Sequence, residues 1–379
     1  MWNGEVTKGL SSWCPNSFFN FGDSLSDTGN RDLTLPDVAH RSPYGESFLG
    51  IQAGRACNGR LVIDFILMAF KRPLLRPSAS PSHEMDMQGL NFAFGGATAT
   101  PLDWFVPYSL QQEVEQFIKL KNQVLHTQRE QSLVLNKLDE AIYSNAFYIF
   151  CIGGNDLIGG LANGLQPKAI IQDIVPSVVY EIVKAIEVLY FQGARKFMVF
   201  NGPVLGCSPA TLSSLDGLGF PLDDLGCITV VQEMSRALNS ELFQSIQRLR
   251  ASLPNVNITL FDYYAASSEI FSNPSKYRFN PDFAQTICCG SPGEIILNFN
   301  ITCGFENSNE CDNPDEYMSW DGVHWTEAFY RNIAKFILNG EFSDPATNLT
   351  KACDLSFDDF GNTTYEEVFH MSFSLSFVK

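Results

Sequence analysis

Short apolar runs alternate with longer amphipathic segments along most of this chain, and that alternation limits the folds it can adopt. Several runs have the length and flanking residues of buried strands; they cover residues 18–21, 147–154, 196–203 and 255–262. Apolar residues recur at helical spacing over residues 170–191, 230–249 and 329–338. Such alternation is typical of a parallel sheet with helices on both faces. We therefore predict an α/β fold, a three-layer α/β/α sandwich with a central parallel sheet.

The composition fits one large globular domain. Of the 379 residues, 45% are hydrophobic and 18% are charged, which is not the composition of a disordered chain. The formal net charge of −17 disfavours binding to nucleic acid or anionic membranes. No stretch of the sequence is long and apolar enough to span a bilayer. We predict an N-terminal extension over residues 1–15, a single domain over 16–340 and a tail of undefined structure over 341–379.

Cysteines and glycosylation sequons indicate a secretory history. None of the ten cysteines forms a C-x-x-C zinc pair, and four of them fall within residues 288–311, a segment rich in Gly, Asn and Asp. We predict a disulfide-stapled loop there with its pairing open, and Cys207 with Cys227 is a reasonable further pair. Asn-x-Ser/Thr sequons occur at Asn257, Asn300, Asn348 and Asn362. Together these features predict a secreted or vacuolar protein, although the first ten residues lack the apolar core of a signal peptide.

The stretch FNFGDSLSDTGN, from Phe19 to Asn30, leaves a buried strand and turns at once. Gly22 permits a sharp turn, which would place Ser24 at the carboxyl end of that strand. In open α/β sheets, ligands bind at this end of the strands. An ordinary strand-to-loop junction would have the same sequence pattern, so Gly-Asp-Ser alone does not decide between the two interpretations.

A second candidate group lies directly before the last predicted helix, in the stretch WDGVHWTEAFYRNIA (320–334). Asp321 and His324 are three residues apart there, in a loop before a helix that Thr326 could cap. This spacing lets the Asp321 carboxylate reach Nδ1 of His324 and leaves Nε2 facing outward. A serine hydroxyl becomes nucleophilic when a histidine removes its proton and a carboxylate orients the histidine. Ser24, His324 and Asp321 are therefore a candidate catalytic triad.

Serine hydrolases also need donors for the negative oxygen that develops on the substrate carbonyl, each contributing roughly 3–4 kcal/mol. The candidate donors are the backbone N–H groups of Ser24 and Gly96 and the side-chain amide of Asn155. Gly96 lies in NFAFGGAT (91–98), which looks like a further strand ending at two glycines, with Gly95 the less favoured choice. Asn155 lies in GGND (153–156), after the predicted central strand. Taken alone, these residues are more typical of tight turns.

Other polar residues are assigned structural roles. The histidines without such neighbours are predicted to lie on the surface: His40, His83, His126 and His370. Arg60 and Asp64 are predicted to form a buried ion pair or a helix-face contact. Because the residue two after Ser24 is Ser26, the chain has no G-x-S-x-G elbow and is not a standard α/β-hydrolase.

These motifs in this order resemble those of the plant GDSL esterase/lipase family, part of the SGNH hydrolase superfamily. The likeness covers about residues 16–340 and includes SPYGESF (42–48), GRACNGRLVIDF (54–65), FNGPVLGCSP (200–209) and CCG (288–290). The branch that includes sinapine esterase and acetylajmalan esterase is the most similar in character. The resemblance implies a flavodoxin-like SGNH fold and an open crevice.

Residue by residue, the resemblance implies that Ser24 is the nucleophile, completed by Asp321 and His324. It likewise implies that Gly96 and Asn155 stabilise the oxyanion together with Ser24.

The sequence therefore predicts a carboxylic ester hydrolase that acts on a small-molecule ester and needs no metal or cofactor. Because no lid or long apolar surface is evident, we expect short-chain or aromatic acyl esters of a plant specialised metabolite. An acyltransferase that uses the same triad with an alcohol or sugar acceptor is the alternative. A secreted binding or defence protein that retains the fold without the activity is the third reading, and the oligomeric state is left open.

Overall fold

The computed structural model describes residues 14–36, 40–48, 54–80, 88–102, 104–131 and 136–355. The strands are β1 (Phe18–Gly22), β2 (Gly89–Asn91), β3 (Phe147–Cys151), β4 (Lys196–Phe200), β5 (Asn257–Phe261), β6 (Cys289–Gly290), β7 (Asn309–Glu310) and β8 (Ser343–Asp344). The helices are α1 (Asn30–Thr34), α2 (Val62–Ala69), α3 (Leu110–Gln131), α4 (Asn136–Asn145), α5 (Gly154–Ala162), α6 (Pro167–Ala169), α7 (Val175–Phe191), α8 (Pro209–Leu215), α9 (Thr229–Ser252), α10 (Tyr263–Ser272), α11 (Glu327–Asn339) and α12 (Leu349–Ala352).

The central sheet has the strand order β2-β1-β3-β4-β5-β8. Neighbouring strands from β2 to β5 are parallel, as the sequence predicted. The edge strand β8 differs, because it runs antiparallel to β5 with Asp344 opposite Leu260. Only two residues of β8 join the sheet, too few for the alternating pattern by which strands are recognised in a sequence. The carboxyl ends of β1, β3 and β4 lie side by side, and the candidate site forms there.

Helices cover both faces of the sheet because successive strand residues point to opposite sides. Phe18 and Ile149 face one side, where they share a hydrophobic core with α2, α10 and α11. Phe19 and Phe150 face the other side, in a core with α3, α7 and α9. Both faces are apolar, as expected of parallel strands buried on both sides, and the predicted three-layer sandwich is confirmed.

Some predicted element boundaries were wrong in an instructive way. Strand β2 covers only Gly89–Asn91, so most of the segment 91–98 is a loop rather than a strand. Helix α7 begins at Val175, directly after a π-helical turn over Ile170–Ile174. Ile174 and Val175 both have right-handed helical dihedrals, so Pro176 lies inside a continuous helical segment, directly after the π-helical irregularity.

The predicted Thr326 cap of helix α11 is confirmed, and a glycine ends the helix. The Thr326 side chain accepts a hydrogen bond from the Phe329 N–H, and Gly340 ends the helix in the left-handed conformation at φ 76°. Among the described residues, no helix combines the length and the apolar character that a membrane crossing requires.

Disulfides fasten the loops and the chain ends. The predicted Cys207–Cys227 bond is present. The loop rich in cysteines is closed by Cys288–Cys311 and Cys289–Cys303. A further bond, Cys14–Cys353, joins the segment before β1 to the segment after α12, across a sequence separation of 339 residues. Part of the chain beyond residue 340 is thus covalently tied to the start of the domain, whereas the C-terminal segment 356–379, with the Asn362 sequon, lies outside the described residues.

The predicted pairing of Arg60 with Asp64 is wrong. Asp64 pairs instead with Arg55, whose Nε lies 2.7 Å from Asp64 Oδ2, and both side chains are buried. Arg60 reaches across to helix α11, where its Nη2 lies 2.6 Å from Glu327 Oε1. Helical spacing favoured the local pair, but the fold supplies a nearer partner to each group.

Candidate active site

Ser24 lies two residues beyond strand β1, after a turn that only glycine allows. Gly22 has φ +153°, and a Cβ atom at that position would lie 2.2 Å from the carbonyl oxygen of Cys151 on the neighbouring strand. Its N–H donates to Oε2 of the buried Glu113 over 2.8 Å. The next N–H, of Asp23, donates to the same Cys151 carbonyl over 3.1 Å. The predicted turn at Gly22 is confirmed, and it leaves the Ser24 side chain half-buried at the carboxyl edge of the sheet.

The Asp27 carboxylate holds this turn together. It accepts the backbone N–H groups of Gly29, Asn30 and Arg31 at 2.7, 2.7 and 3.0 Å, so both oxygens are engaged locally. It also accepts the N–H of Gly95 at 2.8 Å, which ties the turn to the loop after β2. Burial raises the pKa of Asp27, and the backbone N–H donors oppose that rise.

The structure brings Ser24, His324 and Asp321 together although Ser24 and His324 are 300 positions apart in the sequence. His324 Nε2 lies 2.9 Å from Ser24 Oγ, and His324 Nδ1 lies 2.7 Å from Asp321 Oδ2. The second oxygen, Asp321 Oδ1, accepts the N–H groups of Val323 and His324 at 2.9 and 2.7 Å. The D-x-x-H spacing therefore has the predicted geometry, with Nδ1 toward the carboxylate and Nε2 toward the serine.

The electrostatics favour an ionised Asp321. Burial opposes ionisation of this carboxyl and is the largest single influence on it. The electrostatic attraction of the adjoining His324 ring and the hydrogen bonds from His324 and Tyr44 together outweigh burial, and they hold the pKa of the Asp321 carboxyl well below its usual range. A carboxylate kept ionised can orient the imidazole and stabilise its protonated form.

Two aromatic residues behind Asp321 were missed by sequence reasoning. Tyr44 Oη donates to Asp321 Oδ2 over 2.7 Å, and burial raises the pKa of this phenol well above its usual value, so it remains a donor. The His40 ring packs against Tyr44 at a tilt of 56° with ring centroids 4.6 Å apart, and its Nδ1 lies 2.9 Å from Asp32 Oδ1. The surface assignment of His40 is therefore wrong. Tyr44 lies in SPYGESF, but no local pattern shows that this segment meets Asp321.

The other histidines give a mixed outcome. His126 is exposed, as predicted. His83 and His370 lie outside the described residues.

The loop after β2 leaves one glycine N–H available and engages the other. Gly95 donates to Asp27, whereas no hydrogen-bond acceptor for the Gly96 N–H occurs among the described residues. Gly96 has φ +89°, and a Cβ there would come within 3.3 Å of Val106. This contrast favours Gly96 over Gly95 as a donor, in line with the sequence-based preference.

Helix α5 fixes Asn155 beside that loop. Asn155 Nδ2 donates one hydrogen to the Ala97 carbonyl over 2.9 Å, and its second N–H has no acceptor among the residues that the structure describes. The adjacent Asp156 is buried and accepts the N–H groups of Ala99 and Thr100 at 2.8 and 3.0 Å. Burial raises the pKa of Asp156 to about 6 despite these donors. The two side chains together lock the start of α5 onto the loop that carries Gly96.

One cavity of about 850 Å³ connects these groups. Ser24, His324, Gly96 and Asn155 all line it. Much of the remaining wall is apolar and comes from helices α5 and α8 and nearby loops: Phe105, Ile158, Leu161, Leu205, Leu215 and Phe299. The volume is within the range of small-molecule sites, and the apolar wall suits a hydrophobic part of a substrate.

The chain is similar to known plant proteins over most of its length. Residues 18–337 match the sequence profile of the family described as GDSL-like Lipase/Acylhydrolase. A GDSL esterase/lipase of Arabidopsis thaliana is 34% identical over 336 residues, which cover 88% of this chain and 89% of the relative. A GDSL esterase/lipase of Medicago truncatula is 35% identical over 359 residues, with 89% of each chain covered. An Arabidopsis protein named Alpha-L-fucosidase 3 is 32% identical over 354 residues, with 89% and 91% covered.

Proposed function

Because the chain belongs to the GDSL-like lipase/acylhydrolase family, it is a carboxylic ester hydrolase, and we propose that it works through an acyl-enzyme on Ser24. The observation that carries this proposal is the continuous hydrogen-bonded series from Asp321 through His324 to Ser24, which ends in the cavity. A nucleophile, a base and a group that orients the base are the arrangement that covalent catalysis by serine requires.

In the first step, Ser24 Oγ attacks the ester carbonyl carbon while its proton moves to His324 Nε2. The protonated imidazole then gives that proton to the departing alcohol oxygen, and the acyl group remains on Ser24. Water repeats the sequence in the second step, which releases the acid and restores the serine. Asp321 stays ionised throughout and stabilises the protonated ring from the Nδ1 side.

We assign the oxyanion to the N–H groups of Ser24 and Gly96 and the free N–H of Asn155. The absence of other acceptors for the Ser24 and Gly96 N–H groups in the described part of the chain supports this assignment. Loss of one such donor typically slows an enzyme about 10²–10³-fold. Replacing Asn155 with Ala should therefore lower kcat by about that factor.

The family prediction made from the sequence is confirmed, whereas the sinapine esterase branch stays a prediction. We propose short-chain or aromatic acyl esters as substrates, of the kind found among plant specialised metabolites. The apolar wall of the cavity supports an acyl group or alcohol with a hydrophobic part.

The acyltransferase alternative shares the first step and differs only in the acceptor. An alcohol or sugar would take the acyl group from Ser24 in place of water. Product analysis with competing alcohols separates the two: transfer products that exceed hydrolysis at low alcohol concentration would establish acyl transfer.

The direct test is hydrolysis of 4-nitrophenyl esters from acetyl to palmitoyl by the parent protein, Ser24→Ala and Ser26→Ala. Ser26 is a matched control, because it lies in the same turn, is buried, and its hydroxyl has no hydrogen-bond partner within the described part of the chain. We expect Ser24→Ala to lower kcat by about 10⁴-fold or more and Ser26→Ala to stay close to the parent. Retained turnover in Ser24→Ala would refute the nucleophile. A folded parent that forms no acyl-enzyme with any activated ester would instead support the non-catalytic binding role.

We also propose that the protein passes through the secretory pathway. The described residues contain four disulfides, which form and persist in oxidising compartments. Among the described sequons, Asn300 is exposed, and Asn257 and Asn348 are half-buried. A mobility shift on glycosidase treatment of protein purified from a plant host tests the proposal.

A further inference from the structure

The cavity beside Ser24 contains a charged side chain that the proposed chemistry does not use. Arg31, on the short helix α1, lines the cavity together with Ser24 and His324, and it is half-buried. Its guanidinium has no hydrogen bond or ion pair with any of the described residues. An arginine side chain is always charged at physiological pH and offers five N–H donors in a planar fork.

Arg55 and Arg60, which are more deeply buried than Arg31, behave differently. Arg55 pairs with Asp64 at 2.7 Å, and Arg60 pairs with Glu327 at 2.6 Å. In a protein with a net charge of −17, carboxylates are plentiful, so an uncompensated arginine in a cavity needs a reason. Burial of an unpaired charge is unfavourable, whereas a bound carboxylate would restore the missing hydrogen bonds.

The acidic residues nearest to Arg31 in the chain are already committed. Asp27 accepts four backbone N–H groups, one of which belongs to Arg31 itself. Asp32 accepts the backbone N–H and the Nδ1 of His40 at 3.0 and 2.9 Å. Asp23 also lines the cavity, but it accepts the Leu25 N–H, and burial raises its pKa to about 7. None of the three pairs with the guanidinium.

Arg31 also contacts the loop that carries the proposed oxyanion donor Gly96. Its side chain crosses the face of Gly95, where a Cβ atom would lie 2.8 Å from Arg31 Cδ. Gly95 directly precedes Gly96, which we assign to the oxyanion hole. Most of the apolar wall residues follow β3 and β4, with Phe105 after β2 and Phe299 after β6, whereas Arg31 follows β1. The cavity therefore combines an apolar wall with one cationic side chain.

We propose that Arg31 binds a carboxylate carried by the ester substrate, so that the preferred substrates are esters with an anionic group near the scissile bond and a hydrophobic part elsewhere. The proposal rests on the proposed function and adds the substrate class. The carboxylate can belong to the acyl group or to the alcohol, and both place an anion in the same cavity.

Two matched ester pairs test the proposal and separate its two forms. Mono-4-nitrophenyl adipate against 4-nitrophenyl hexanoate places the charge on the acyl group. 5-Acetoxy-2-nitrobenzoate against 4-nitrophenyl acetate places it on the leaving group. Each pair is measured with the parent, Arg31→Gln and Arg31→Lys. We expect Arg31→Gln to lower kcat/KM for a carboxylated ester about tenfold or more and to change its neutral partner less than about twofold. Arg31→Lys should retain an intermediate preference, because it keeps the charge without the planar fork.

Equal losses on charged and neutral esters would overturn the proposal and make Arg31 a support for the Gly95 loop. No loss on either carboxylated ester would overturn it as well. The neutral esters measured with Ser24→Ala test the proposed function separately, since that result does not depend on Arg31.

Binding of benzoate and benzamide to Ser24→Ala, with and without Arg31→Gln, supplies a readout without turnover. Benzoate affinity should fall at least about tenfold and benzamide affinity should not change, and equal binding of benzoate by both variants would refute the proposal.

Discussion

Replacement of Tyr44 with Phe removes one hydrogen bond from the Asp321 carboxylate and leaves its other partners in place. The phenol is buried, and its Oη lies 2.7 Å from Asp321 Oδ2, the same oxygen that faces His324 Nδ1. Oδ1 still accepts two backbone N–H groups in the variant, so the carboxylate should keep its position. The substitution therefore changes the charge distribution on Asp321 more than its location.

The expected size follows from this geometry. A hydrogen bond to a charged group contributes about 1.5–3 kcal/mol. Since one pH unit corresponds to about 1.4 kcal/mol, loss of the phenol should raise the pKa of the Asp321 carboxyl by about 1–2 pH units. A carboxylate that accepts one hydrogen bond fewer attracts the imidazole proton more strongly. If about half of this change in free energy is felt by the imidazole proton, the acidic limb of the kcat/KM profile moves to higher pH by about 0.5–1 unit.

The assay is a pH–rate profile of 4-nitrophenyl acetate hydrolysis by the parent, Tyr44→Phe and Tyr148→Phe. Tyr148 is the control, because it is a fully buried phenol whose hydroxyl donates to the Tyr143 carbonyl at 3.0 Å. The control should lose some stability without any shift of the acidic limb. An unmoved limb in Tyr44→Phe, or one displaced to lower pH, would refute the inferred coupling.

Three further changes address stability, each measured by urea unfolding. Replacing Cys14 and Cys353 together with Ala should lower the free energy of unfolding by about 2–5 kcal/mol, because this bond spans 339 residues; an unchanged midpoint would contradict that. Arg55→Met should cost about 3–5 kcal/mol, since it leaves the buried Asp64 uncompensated. The double variant Arg55→Met with Asp64→Leu should cost less than that single change, and a larger cost would argue against the ion pair. Gly22→Ala should cost at least about 2 kcal/mol, because its Cβ would overlap a carbonyl oxygen of strand β3, and a stable variant would disprove the required turn.

The strands and helices that could be predicted are those with long, regular patterns. The apolar runs of β1, β3, β4 and β5 and the helical spacing of α9 are local properties of the sequence. Strand β8 has two residues, and its antiparallel pairing depends on the position at which helix α11 ends. Segment 91–98 is apolar enough for a strand, but only its first residue joins β2, because the chain turns there to approach α1 and α5.

The same distinction applies to polar contacts. The Asp321–His324 contact could be predicted because the two residues are only three positions apart in one loop, so the local spacing determines the contact. Tyr44 could not, because its bond to Asp321 crosses 277 residues of sequence. The mistaken pairing of Arg60 with Asp64 shows the reverse error, in which a favourable local spacing loses to partners supplied by the fold.

The proposed catalytic groups can therefore be recognised from short sequence motifs, whereas substrate choice depends on contacts that exist only in the folded cavity. The residues that we propose as reacting groups are carried by short motifs, so relatives at 32–35% identity can share them. The free charge of Arg31 is a property of the assembled cavity, since it depends on the engagement of Asp27 and Asp32 by other donors. A relative with the same triad but an apolar residue at this position, or with a free carboxylate beside it, would lack the cationic part of the cavity. Family membership thus supports ester hydrolysis, whereas the preferred ester has to be argued from the walls around Ser24.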